Sequence, residues 1–142
     1  MLSLKIKNDF KNKSVLITGG TGSLGNELVR IFLSECSLKR LVILSRDELK
    51  QSEMIKLYTP KDKKKILRFF LGDVREASRM KLALRDIDYV IHAAALKHVD
   101  VAEYNPLEFI KTNIDGAKNV IEAALFCNVK KVIALSTDKA AN

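Results

Sequence analysis

Val15-Leu16-Ile17-Thr18-Gly19-Gly20-Thr21-Gly22-Ser23-Leu24-Gly25 is the stretch whose reading decides the fold. A short apolar run meets a glycine cluster. The cluster opens into a helical pattern with Leu28, Val29, Ile31, Phe32 and Leu33 apolar. Strand, Gly-rich turn and helix in that order give a glycine motif its meaning. Gly20, Gly22 and Gly25 fit G-x-G-x-x-G, and Gly19, Gly22 and Gly25 fit the wider G-x-x-G-x-x-G. One glycine allows the tight turn, one lets a pyrophosphate approach bare backbone, and one lets helix pack close to strand. The helix N-terminus then offers unpaired N–H groups and a positive dipole end to phosphates. The competing reading is a Gly-rich loop with no ligand; the pattern on both flanks speaks against it.

Around this stretch, bulk properties narrow the classes. The 142 residues suit one domain with a real core. At 47% hydrophobic and 30% charged, the chain is globular and not disordered. No apolar run is long enough to span a bilayer, and the N-terminus lacks a signal-peptide core, so a cytoplasmic protein without membrane is expected. Cys36 and Cys127 stand in no metal-ligand or C-x-x-C spacing and read as free thiols in a reducing compartment; no metal is expected. The net charge of +8 admits nucleic acid, a membrane surface or a phosphorylated small molecule as partner. The lysines are scattered, and the densest run, Lys61 to Lys65, has no interleaved aromatic residues. It reads as solvated surface, and nucleic acid is set aside.

Along the chain, residues 1–11 form a short polar-apolar leader with room for a helical turn. Strands are expected at Lys13–Thr18, Arg40–Leu44, Ile66–Leu71, Tyr89–His92 and Lys131–Leu135, and helices at Ser23–Glu35, Asp47–Tyr58 and Arg75–Arg85. A loop carries Lys97, His98 and Asp100. A long amphipathic helix then follows Pro106. The alternation predicts α/β class: a doubly wound parallel sheet of the Rossmann type, order 3-2-1-4-5. The chain reads as one domain, residues 1–142, the front half of a longer protein whose sheet is cut after the fifth strand.

In such sheets ligands sit beyond the carboxyl ends of the strands. The second strand ends at Ser45-Arg46-Asp47, where an NAD site wants an acid about 20 residues past the glycines. Ser45 and Arg46, with Lys50 a turn along, favour the 2′-phosphate of NADP. Alternatively Arg46 is a surface residue paired with Asp47 or Glu48, and those acids keep NAD open. The third end, Gly72-Asp73-Val74, offers Asp73 to an adenine amino group or as a helix cap. The fourth, Ala93-Ala94-Ala95, permits close approach of a ring or ribose, or simply packs. His92 reads as a hydrogen-bonded core histidine. The fifth, Ser136-Thr137-Asp138-Lys139, brings a hydroxyl, a carboxylate and an amine to one place, or is a solvated capping turn.

Together the stretches Thr18–Gly25, Ser45–Gln51, Gly72–Arg75, His92–Val99, Glu103–Pro106, Lys111–Asn113 and Ser136–Asn142 resemble the extended short-chain dehydrogenase/reductases. Within these the chain is most similar to the inverting UDP-N-acetylglucosamine 4,6-dehydratases of bacterial surface-glycan and pseudaminic acid synthesis. The glycine motif is generic; Ser-Arg-Asp-Glu and Ser-Thr-Asp-Lys-Ala are specific. The resemblance implies a tightly held NADP contacted by Gly19, Thr21, Gly22, Ser23, Leu24, Gly25, Ser45, Arg46, Lys50, Asp73, Val74, Ala93, Ala94, Ala95 and Lys97. It also implies a UDP-sugar substrate and a homo-oligomeric full-length protein. Hydride leaves sugar C4, a base takes the C5 proton, the C6 hydroxyl leaves as water, and hydride returns to C6. Thr137 then supports oxidation, Asp138 is the acid at C6 and Lys139 the base at C5. The family's Tyr-x-x-x-Lys is not in this sequence, and Asp100 stands where relatives often carry Pro. The chain alone is therefore expected to bind nucleotide without turnover. A UDP-sugar 4-epimerase on the same scaffold and a non-catalytic NADP-binding module remain the alternatives.

Overall fold

The computed structural model describes residues 2–135. Its first element is a short helix, α1 (Leu4–Phe10), begun by Ser3, whose hydroxyl accepts from the Ile6 N–H. Then come β1 (Ser14–Thr18), α2 (Ser23–Glu35), β2 (Arg40–Ser45), α3 (Glu48–Tyr58), β3 (Leu67–Leu71), α4 (Ala77–Ala83) and β4 (Tyr89–His92). The second half holds α5 (Val99–Tyr104), α6 (Pro106–Phe109), a π-helical segment (Ile110–Asp115), α7 (Gly116–Phe126) and β5 (Lys131–Ala134). All pairings are parallel, and the sheet order is β3-β2-β1-β4-β5, as the sequence predicts.

The strands are continuous apolar runs because both faces are covered. On one face Val15, Ile17, Leu41, Ile43 and Ile91 pack with Val29 and Phe32 of α2 and Met54 and Tyr58 of α3. On the other, Leu16, Val42, Leu44 and Val90 pack with Met80 of α4 and Val120, Ala123 and Ala124 of α7. Every residue of β1 is buried. At about 25 cal/mol per Å² this double burial is the main driving term. Helices on both faces leave the carboxyl ends of the strands as one open edge, where the glycine turn sits.

Three expectations change. The predicted loop after Lys97 contains α5. That helix stops at Tyr104 because Asn105 precedes Pro106 and is pushed out of the helical region, at φ −136° and ψ 51°. The single long helix after Pro106 is broken by the π-helical segment. The third predicted helix starts later, with Glu76 in the cap position, so Asp73 does not cap it. Among the described residues, no helix is long and apolar enough to cross a membrane, and no cluster of His, Cys, Asp and Glu could hold a metal ion.

Candidate functional site

A cleft of about 320 Å³ opens at the carboxyl ends of β1 to β4. Of the residues assigned to nucleotide from sequence, Gly19, Thr21, Gly22, Ser45, Arg46, Lys50, Asp73, Val74, Ala93, Ala94, Ala95 and Lys97 line it. Ser23, Leu24 and Gly25 do not; they form the first turn of α2. Thr137, Asp138 and Lys139 lie outside the described residues.

The three glycines of the wider motif do different work. Gly19 has φ +63°, and a Cβ there would meet the Ala93–Ala94 backbone at 2.8–2.9 Å. Gly25 is buried, and a Cβ there would collide with the Gly20 backbone, its carbonyl oxygen first. It lets α2 rest on the turn. Gly22, in the N-cap position of α2, would bring a Cβ near only the Gly19 carbonyl, at 3.3 Å. No side chain caps the helix there, so the first-turn N–H groups have no side-chain acceptor, and Gly22 is the point where this helix start borders the cleft. This is a cradle for an anion that a side chain would fill.

Ser45 ties the walls together. Its hydroxyl is 2.8 Å from that of Thr21 and accepts from the Asp47 N–H at 3.1 Å. The buried Gln51 amide donates to the Ser45 and Phe70 carbonyls, fixing α3 against the ends of β2 and β3. Asp47 caps α3 by accepting from the Lys50 N–H at 3.0 Å and also pairs with the Lys50 amine. Arg46 pairs with neither Asp47 nor Glu48. Its guanidinium reaches Asp73, across two strand ends, at 3.7 Å, with half of its side chain exposed to the cleft mouth. Arg75 binds the same Asp73 carboxylate through Nε at 2.9 Å and Nη2 at 2.7 Å, and donates its own backbone N–H at 3.0 Å. Burial raises the Asp73 pKa. The hydrogen bonds and charge of Arg75, with the charge of Arg46, outweigh it, so the carboxyl titrates below its ordinary value.

Beneath the cleft, Thr18 is buried with its hydroxyl 2.7 Å from His92 Nδ1. That hydroxyl oxygen also accepts from the Ala93 and Ala94 N–H groups at 3.1 and 3.2 Å. Its own hydrogen therefore goes to Nδ1, which leaves the imidazole neutral with its proton on Nε2. Burial pushes the His92 pKa down, in keeping with that neutral form. The expected core histidine is thus also a prop for the alanine turn. Asn113, on the π-helical segment, clamps the far side of this turn: Oδ1 accepts from Leu96 N–H at 2.8 Å, and Nδ2 donates to the Leu96 carbonyl at 3.1 Å. A second cavity of about 560 Å³ lies beyond, between His92, Asn113, Ala117 and the end of β5.

Sequence reasoning passed over Thr18, Gln51 and Arg75 as site-builders. Thr18 meets His92, 74 residues away, and Gln51 meets the Phe70 carbonyl, 19 residues away, at distances no local pattern reports. Arg75 binds Asp73 only two residues away, but the shared pairing with Arg46 forms only in the fold. Asn113, like those three, lies within a stretch that carries the family resemblance, but its role needs the fold. The chain's three tyrosines stand away from both cavities. Tyr58 donates to the Asn26 carbonyl, Tyr89 donates to the Asp9 carbonyl at the opposite sheet edge, and Tyr104 is exposed.

Sheet order, glycine turn and cleft together define a Rossmann-type doubly wound α/β protein. The pattern of the polysaccharide biosynthesis protein family matches residues 15–142, and the chain belongs to that family. It is 54% identical over 133 residues to the inverting UDP-N-acetylglucosamine 4,6-dehydratase of Campylobacter jejuni, covering 94% of this chain and 39% of the relative. It is 50% identical over 135 residues to a UDP-glucose 4-epimerase of Rickettsia bellii, covering 92% and 38%. The solved structure of Pen from Bacillus thuringiensis superposes with a TM-score of 0.87 at 41% identity, over 94% of this chain and 40% of that one. DesIV, a dTDP-glucose 4,6-dehydratase of Streptomyces venezuelae solved with NAD and TYD bound, gives 0.71 at 27% identity, over 84% and 38%. The chain spans about two fifths of the length of the curated relatives it matches.

Proposed function

We propose that this chain is the NADP-binding part of a nucleotide-sugar 4,6-dehydratase acting on UDP-N-acetylglucosamine. The observation that carries the reading is the cleft itself. An uncapped helix start meets Gly22, and Arg46 stands at the mouth of β2 with its guanidinium exposed. The pyrophosphate is held by the first-turn N–H groups of α2, and the 2′-phosphate by Arg46 with Ser45 and Lys50 near it. Asp73 and Val74 border the adenine, and Ala93–Ala95 with Lys97 border the nicotinamide half. Ser23 and Leu24 contribute only their backbone, and Gly25 only the close packing of helix on turn. When bound, the cofactor takes a hydride from the sugar and returns it. Thr137, Asp138 and Lys139 serve the sugar, as hydrogen-bond partner, acid and base.

The choice of the dehydratase over the 4-epimerase rests on the higher identity to the Campylobacter relative and on Asp138-Lys139, the acid–base pair that dehydration needs and epimerisation does not. No tyrosine of this chain lies at the cleft, so the 142 residues alone bind nucleotide without turnover; they work in a cytoplasmic, oligomeric whole. The test is a chimera in which this chain replaces the matching part of the Campylobacter dehydratase. Conversion of UDP-N-acetylglucosamine to a 4-keto-6-deoxy product is expected. A folded, nucleotide-loaded chimera that yields only the 4-epimer, or nothing, contradicts the reading.

A further inference from the structure

The parallel strands begin in register: Ser14 lies opposite Arg40, Leu41 opposite Leu67, Val15 opposite Tyr89, and Tyr89 opposite Lys131. Every segment that feeds a strand therefore lies along one edge of the sheet, opposite the cleft. These segments, residues 11–13, 36–40, 59–66, 84–88 and 127–131, hold eleven Lys and Arg against three Asp. That excess of eight equals the net charge of the whole chain. At the cleft end, residues 19–22, 45–47, 72–76 and 93–98 hold three basic and three acidic residues. Lysines scattered in sequence are thus gathered by topology.

Nine of the eleven are lysines, and Lys39, Lys63, Lys64, Lys65 and Lys131 are among those exposed. The acids do little to neutralise them. Asp62 is spent on the Ile66 and Leu67 N–H groups at 3.0 and 2.8 Å. Asp88 accepts from Ser14 N–H at 2.9 Å and pairs with a single amine, that of Lys130. Lys65 sits at φ +53°, where Gly or Asn serves more easily, so backbone geometry does not ask for a lysine there. Beside the edge lies α1, tied to it by Phe10 against the Tyr89 ring, with Leu4 75% exposed next to Lys5.

We propose that this edge docks on an anionic phospholipid membrane. Five strands make it about 19 Å wide, enough to set several lysines on one plane. Hydrated lysine ammonium groups suit the diffuse field of such a surface. Nucleic acid is the poorer fit. The five segments contain no aromatic residue for bases to stack on, and Arg40 spends its guanidinium on the Arg85 and Asp86 carbonyls. The expectation of no membrane rested on the lack of a spanning run, which a surface-held protein does not need. Docked this way, the protein keeps its cleft facing water.

The test is sedimentation of the 142-residue chain with vesicles of phosphatidylcholine alone or mixed with phosphatidylglycerol, at low and high salt. Binding is expected to the anionic vesicles only and to fall with salt. Each lysine counts about fivefold, so Lys63→Glu/Lys64→Glu/Lys65→Glu lowers the partition about a hundredfold or more. Arg30→Glu/Lys111→Glu/Lys118→Glu, an equal charge change on the helices, lowers it less than about tenfold. If melting shows the first triple unfolded, Lys63→Glu and Lys131→Glu singly carry the test, each losing about fivefold. Equal binding to neutral vesicles, equal loss in both triples, or displacement from vesicles by duplex DNA or RNA at equal charge overturns the proposal.

Discussion

Gly22 and Gly25 are three residues apart and separate binding from folding. A side chain at Gly22 meets only the Gly19 carbonyl, at 3.3 Å, and otherwise enters the cleft. Gly22→Val should therefore keep its melting temperature within a few degrees and lose NADP binding, read by titration calorimetry and a thermal melt. Unchanged binding would make the loop a mere turn. Gly25→Ala instead forces a Cβ into the Gly20 backbone. It should cost about 3 kcal/mol or more in denaturant unfolding, at or beyond the upper end for overpacking. At Arg46 the expectation is chemical: Arg46→Ala should lose about 1.5–3 kcal/mol of NADP affinity, the value of a charge-assisted pair, while NAD affinity stays put. Equal NADP affinity in both proteins would remove Arg46 from the 2′-phosphate site. The apolar strands and the glycine spacing were legible because both are local patterns. Arg46's partner was not. The neighbouring Asp47 and Glu48 were the obvious choice, but Asp47 is occupied in capping α3, and Asp73 arrives from another strand.

Between β1 and β4 the Thr18 hydroxyl holds three groups at once: His92 Nδ1 and the Ala93 and Ala94 N–H groups. Thr18→Val would strand His92 Nδ1 and the Ala94 N–H, and leave the Ala93 N–H only the Thr18 backbone carbonyl at 3.2 Å, costing about 1–3 kcal/mol for buried groups left unpaired. It should also loosen the alanine turn and weaken nucleotide binding; a variant with wild-type stability would contradict this account of the turn. The same elements set a pH dependence. Burial lowers the His92 pKa below its ordinary 6.5, so its contribution is full above that value and is lost as pH falls and the unfolded chain takes the proton. Asp88 is lowered first by its hydrogen bond to Lys130 and then by that from Ser14 N–H. Its contribution is full above the ordinary 3.8 and is lost as pH falls through the depressed native value. Both slopes have one sign. The melting temperature should fall from about pH 6.5 downward, and again below about pH 4, with the lower step reduced in Asp88→Asn. A melting temperature flat from pH 7 to 5 would contradict the buried neutral His92. At this scale the sequence was a partial guide. The five strands and their order follow from alternation and from the motif's place on β1. The π-helical segment was hidden, because its apolar spacing passes for an ordinary helix on either side of Thr112.

The whole molecule divides its chemistry between two ends of one sheet. The balanced charges, the uncapped helix start and the small side chains meet at the carboxyl end; the surplus lysines gather at the other. Neither grouping is visible in a linear reading, since each draws on segments tens of residues apart that only parallel strand order brings together. The central claim is that the carboxyl-end cleft holds NADP in preference to NAD, and titration calorimetry of the wild-type chain with each nucleotide tests it most directly. The account predicts saturable one-to-one binding of both, with NADP tighter by about tenfold or more, the value of a charge-assisted pair at the 2′-phosphate. NAD binding as tightly as NADP, or neither nucleotide binding the folded chain, would contradict it.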